Sequence, residues 1–147
     1  MLRGKADLMD ALVPIHRHWI WANWMKKRFD ETLPEHMALL ESDIAQLFIT
    51  PPGMYMCLWY GLLYTVCEAL HESRIDIGPL QTDIEKIYAN LRLLRNAVFH
   101  IQQEYWSVKM QSILDDPESA STIRRVHDGV GEWFLARFAE TKGATEK

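Results

Sequence analysis

Two cysteines, Cys57 and Cys67, are all that the 147-residue sequence contains. A disulfide scaffold is excluded by that count. On one helix the ten intervening steps would hold these two about 15 Å apart, far beyond disulfide reach. Seven glycines and six prolines exclude a collagenous or linker-like chain. No stretch alternates with period two for long enough to suggest a sheet. Internal repeats and low-complexity tracts are missing. There is no basic excess either: the formal net charge is −4, which argues against broad coating of nucleic acid or acidic membrane. The uncharged stretch 44–67 is interrupted by Thr50-Pro51-Pro52-Gly53. What remains, Met54 to Cys67, is shorter than the ~20 residues of a spanning helix, so no membrane partner is expected. The segment Met1-Leu2-Arg3-Gly4-Lys5-Ala6-Asp7 lacks the apolar core of a signal peptide. With so little cysteine, a reducing cytoplasm is the expected location.

The hydrophobic share is 48%, enough for one globular domain over 1–147 with a sizeable core. Its pattern is helical. A first helix is predicted from about Pro14, a good first helical residue, to Phe29. Ile15, Trp19, Ala22 and Phe29 share a face, and Trp21 and Trp24 widen it. A second helix starts near Pro34, with Met37, Leu40, Ile44 and Leu47 at amphipathic spacing, and stops at Pro51-Pro52-Gly53. The third, about Met54 to Ser73, is apolar nearly all round until Glu68, which suits a central helix. Gly78-Pro79 then breaks the chain. A fourth helix runs from Leu80 or Thr82 to near His100, with Ile84, Ile87, Leu91, Leu94 and Val98 as its stripe. Asp116 and Pro117 open the last helix as N-cap and first residue, and Ile123, Val126, Val130 and Trp133 form its seam. Gly129 and Gly131 permit close packing or mark a break. The expected fold is all-α: an up-and-down four-helix bundle with one additional shorter helix.

The segment Leu91-Arg92-Leu93-Leu94-Arg95-Asn96-Ala97-Val98-Phe99-His100 places an arginine, a polar residue and a histidine at the end of an amphipathic helix. It resembles the R-x4-6-H motif of the HEPN superfamily, helical bundles that include ribonuclease toxins and defence nucleases. The resemblance is tight over Leu91 to His100 and loose across the helical layout. It implies a metal-independent endoribonuclease with Arg95, Asn96 and His100 as catalytic residues, no cofactor and RNA as substrate. It also implies a homodimer with a composite active site and a toxin–antitoxin or phage-defence setting, with an antitoxin protein as partner.

Those residue types suit the reaction. Histidine titrates near neutrality and can take the proton of a 2′-hydroxyl. Arginine donates a planar fork of hydrogen bonds to the charge that develops on phosphorus. Asn96 would orient the phosphate or the imidazole. Five residues along a helix turn through about 140°, so either the helix ends between Arg95 and His100 or two chains build the site. Trp19, Trp21 and Trp24 are compatible with a dimer interface or with the monomer core. In HEPN toxins paired with a nucleotidyltransferase antitoxin, a tyrosine stands two residues after the histidine. Here Gln102 stands there and Tyr105 is out of register, which counts against that particular partnership.

Glu68 is a supporting candidate that could pair with Arg95 or hold His100, or simply mark the bundle's exit to solvent. Arg95 and His100 also have an ordinary reading as a surface arginine and a helix-terminal cap. A metal-binding bundle is the rival from another class, because Glu68-x-x-His71 is half of a di-iron pattern. No second copy of it exists, His16, His36 and His127 are scattered, and His16 and His18 point apart on a helix. A third reading is a non-catalytic HEPN-like module that binds RNA, a nucleotide or a protein. Charge by region keeps RNA in play. Residues 31–79 hold seven acidic side chains and one basic one, whereas 1–30 hold six basic and three acidic. Arg92, Arg95, Lys109, Arg124 and Arg125 would then line a modest basic cleft.

Overall fold

The N-terminal helix begins nine residues before Pro14. In the computed structural model α1 spans Lys5–Thr32, and the structure describes residues 4–38, 44–101, 113–114 and 116–145, the side chains of 44, 45, 144 and 145 excepted. Pro14 lies inside α1, so it removes one helical hydrogen bond, at a cost of about 3 kcal/mol. Packing offsets this. Leu12 is fully buried and Leu8 and Met9 pack on the core, and one buried leucine alone is worth about 1.5–3 kcal/mol. The expectation that Pro14 opens the helix is corrected: the apolar residues ahead of it drive the extension.

The helix expected from Pro34 lies largely outside the described residues: Leu33–His36 and Ile44–Ile49 are 3₁₀ turns, and residues 37 and 38 between them are helical. Leu40 lies outside the described residues. The second turn builds the start of the next helix. The Leu47 carbonyl accepts from the Thr50 N–H at 3.1 Å and from its hydroxyl at 2.6 Å. Thr50 Oγ1 in turn accepts from the Gly53 N–H at 3.4 Å as an N-cap. A Cβ on Gly53 would collide with the Leu47 carbonyl oxygen, so only glycine lets the turn sit so close. Helix α2, Pro51–Glu72, thereby takes Pro51 and Pro52 into its first turn instead of starting at Met54.

The end of α2 is a Schellman motif. The Ile75 N–H reaches the Leu70 carbonyl at 3.2 Å and the Arg74 N–H reaches His71 at 3.0 Å. Arg74 supplies the left-handed residue, with φ of 52°. Gly78, at φ 61°, turns the chain into α3, Leu80–Phe99. Helix α4 spans Pro117–Thr145. Asp116 caps it: Oδ1 accepts from the Glu118 N–H at 3.0 Å and Oδ2 from the Ser119 hydroxyl at 3.0 Å.

Side-chain partners fix the topology. Asp30 meets Arg124, Trp19 bonds the His127 carbonyl and Met9 meets Thr141, so α1 and α4 are antiparallel. Asp83 meets Arg125 and Leu80 abuts Gly129, so α3 and α4 are antiparallel too. Tyr64 meets Tyr88 and Gly61 meets Phe99, which sets α2 against α3. The result is an up-down-up-down bundle with order α1-α2-α3-α4 around the ring. The buried residues form one contiguous core. Among the described residues there are no strands, and no helix is long and apolar enough to cross a membrane.

His127 joins three of the four helices. It is fully buried. Its Nδ1 accepts from the Trp59 indole N–H at 3.0 Å. Indole only donates, so Nδ1 is unprotonated and the other ring nitrogen, Nε2, carries the hydrogen that goes to Asn23 Oδ1 at 3.0 Å. Trp19 donates to the His127 carbonyl at 2.9 Å and stacks on the ring. Trp19 therefore belongs to the core, whereas Trp21 and Trp24 are exposed. Both cysteines are buried and free. Burial pushes each thiol up to about 12, which leaves them unreactive at neutral pH.

Candidate functional site

Arg95 and Asn96 lie on the last turns of α3, where the stripe Leu91, Leu94 and Ala97 is buried, and His100 follows its last residue. That stripe turns Arg95 toward α2. Its guanidinium lies over the Tyr64 ring, 4.8 Å from the centroid, a cation–π contact. Arg95 is half-buried. Its Nε is shielded from solvent and has no hydrogen-bond partner among the described residues. Close approach here depends on Gly61, where a Cβ would stand 2.8 Å from Phe99 Cε2 and 3.9 Å from Arg95 Cγ.

Glu68 reaches this site through tyrosine. The Tyr64 hydroxyl donates to Glu68 Oε1 at 2.8 Å, and its oxygen lies 3.4 Å from the Tyr88 hydroxyl. Burial, followed by the bonds to Tyr88 and Glu68, pushes the Tyr64 phenol well above its ordinary value. Glu68 and Arg95 thus touch the same ring from different sides, without an ion pair to each other. Glu68 holds the platform on which Arg95 rests. Spacing marks Arg95, and standing as the first charge on an apolar helix marks Glu68; neither feature marks Tyr64, Tyr88 or Gly61. One signal was present: Tyr64 precedes Glu68 by four residues, and a hydroxyl on an otherwise apolar helix needs a partner.

Helix α3 ends at Phe99. His100 is its C-cap, with extended φ and ψ of −122° and 125° and its N–H on the Asn96 carbonyl at 3.1 Å. The regular 140° separation therefore does not carry through to His100. The histidine is exposed, and Phe99 and Ile101 on either side of it are exposed apolar residues. Asn96 is half-buried and stands 100° around the helix from Arg95, away from the Tyr64 platform.

The expected basic cleft is divided. Arg124 turns to α1 and grips Asp30 through two bonds, of 2.6 and 3.2 Å, with its guanidinium over Trp59. Those bonds hold the Asp30 carboxyl below its usual range. Arg125 lies 3.6 Å from Asp83, twelve residues before Arg95 and so about 18 Å away along α3. Lys109, Gln102 and Tyr105 lie outside the described residues. Among the described residues no three His, Cys, Asp or Glu side chains gather as a metal site. Glu68 is engaged with Tyr64, and His71 lies beside Tyr88 with ring centroids 6.3 Å apart. A cavity of about 250 Å³ opens there, walled by Cys67, His71, Ile77, Ile84, Glu85 and Tyr88.

Comparison with protein-family models, with curated proteins and with solved structures found no match to this chain.

Proposed function

We propose that the chain is a metal-independent endoribonuclease of HEPN type, acting as a homodimer in a toxin–antitoxin or phage-defence setting. The observation that carries this reading is the state of Arg95. It is a cation seated on an aromatic face, its Nε has no hydrogen-bond partner among the described residues, and an exposed histidine caps the same helix five residues later. The terminal nitrogens of a guanidinium can bind a phosphate. His100 takes the proton of the 2′-hydroxyl and the 2′-oxygen attacks phosphorus. Arg95 neutralises the phosphorane, and the bond to the 5′-oxygen breaks. The leaving oxygen takes up a proton, and the products carry a 2′,3′-cyclic phosphate and a 5′-hydroxyl. DNA lacks the nucleophile and is not cut.

The test is cleavage of RNA by the full chain in the presence of EDTA. His100→Ala, with parental circular dichroism as the check on its fold, lowers the rate by about 10²- to 10⁴-fold. Unchanged cleavage by His100→Ala would overturn the assignment, as would loss of activity in EDTA restored by a divalent metal. A second reading, a HEPN-like module that binds without cutting, is favoured by the same Arg95–Tyr64 stacking, since it draws the guanidinium inward. That reading expects RNA retention by the parent with no cyclic phosphate formed.

A further inference from the structure

The outward face of α1 differs from the rest of this acidic chain. Residues 11–29 contain no aspartate or glutamate, while Arg17, Lys26, Lys27 and Arg28 all fall there. Val13, Arg17, Trp21, Trp24 and Arg28 lie within an arc of about 80° and span about 22 Å along the helix. Trp21 is 40% exposed, Trp24 57% and Val13 58%. The two indoles have no core role, in contrast to Trp19 and Trp59, whose N–H groups are bonded. Arg17 lies over Trp21 at 5.3 Å, and the His18 ring is 4.9 Å from it. Arg28 is paired with Glu31. Arg17 and Lys27 are exposed and form no ion pair with a described residue.

We infer that this face binds single-stranded nucleic acid, with bases stacked on Trp21 and Trp24 and phosphates held by Arg17 and Lys27. Charge complementarity selects that occupant. A second copy docked on the same stripe would set these cations against each other, because a two-fold interface pairs a patch with itself. A membrane surface would need a broad apolar stripe, and of the exposed large apolar residues on α1 Val13 alone accompanies the two rings, with Ile20 half-buried beside it. Alternating aromatic faces and unpaired cations are what an unstacked strand binds. In the bundle ring α1 stands diagonally across from α3, so this face holds a strand away from Arg95. The choice of RNA as natural strand rests on the reading above; the binding face does not.

The experiment is anisotropy of labelled single-stranded oligouridylate and oligodeoxythymidylate titrated with the full-length protein over a range of salt. The parent binds both. Trp21→Ala and Trp24→Ala each weaken binding about 5- to 100-fold. Arg17→Ala with Lys27→Ala, which keeps both rings, lowers the slope of log affinity against log salt by about 0.7 per cation. The inference is overturned if the parent binds neither oligomer, or if the tryptophan variants keep parental circular dichroism and parental affinity. It is also overturned if those variants turn a dimer into a monomer without a change in affinity, or if the protein is retained only by anionic phospholipid vesicles. Because oligodeoxythymidylate is not a substrate, its binding can fail while RNA cleavage survives, and the reverse.

Discussion

His127 shows how a buried polar residue sets a pH limit on this fold. Protonating Nδ1 would remove the acceptor that Trp59 uses. Burial, with Lys26 and Arg124 nearby, lowers the imidazole to about 4. A histidine depressed in the folded state binds its proton more readily when unfolded, from an ordinary value of about 6.5. Its contribution is therefore complete above pH 6.5 and is lost as pH falls from there toward 4, by on the order of 3 kcal/mol. Urea denaturation of the parent should show that decline. His127→Gln, uncharged throughout, should be less stable at pH 7.5 and should lack most of the decline. An equal slope in both proteins would assign the effect elsewhere. Asp30 acts in a lower window, because its depressed carboxyl contributes above pH 3.8 and loses that contribution below it. At the same scale, the candidate site was legible only in part. Arg95 and His100 were read from spacing, and that α3 ends before His100 was one of the options spacing left open. The Tyr64 platform was not legible, because a tyrosine amid apolar neighbours reads as core until its hydroxyl partner is known.

Among the elements, α2, α3 and α4 follow their apolar periodicity closely, and α1 departs from it where a single proline was read as a start signal. Local chemistry lost there to packing downstream and upstream of Pro14. The two glycines of α4 pose the same contest between propensity and packing, with opposite outcomes. Glycine in a helix costs about 1 kcal/mol relative to alanine, so propensity alone favours both Gly129→Ala and Gly131→Ala. A Cβ on Gly131 would stand 2.3 Å from Trp19 Cζ2. That ring cannot yield freely, since its N–H is fixed on the His127 carbonyl. Gly131→Ala is expected to destabilise by about 1–3 kcal/mol. A Cβ on Gly129 meets Leu80 Cδ2 at 2.5 Å, the far end of a side chain that can rotate. Gly129→Ala is expected within about 1 kcal/mol of the parent. Urea midpoints of the two variants decide this, and equal midpoints would show that the Trp19 contact does not constrain α4.

For the whole molecule, the acidic balance and the separated arginines bear on how a phosphate site is completed. Within one chain Arg124 and Arg125 are held by Asp30 and Asp83, so neither of these two arginines is free to join Arg95. A second protomer would double the positive charge at one cleft, and the exposed Phe99 and Ile101 around His100 offer apolar surface for that contact. The composite site we propose has a definite signature in mixing experiments. Arg95→Ala and His100→Ala proteins are each inactive alone. If each of the two arginine–histidine pairs in that cleft takes its arginine from one protomer and its histidine from the other, a mixed dimer contains one intact pair. Random exchange makes half of all dimers mixed, so an equal mixture recovers about one quarter of parental cleavage. If arginine and histidine of the same protomer act together, every such pair in the mixture lacks one of them and no activity returns. Unfolding and refolding the two variants together, with dimerisation checked by light scattering, gives the comparison. Recovery to about a quarter supports the shared cleft, while a stable mixed dimer without cleavage would assign both residues to a single chain.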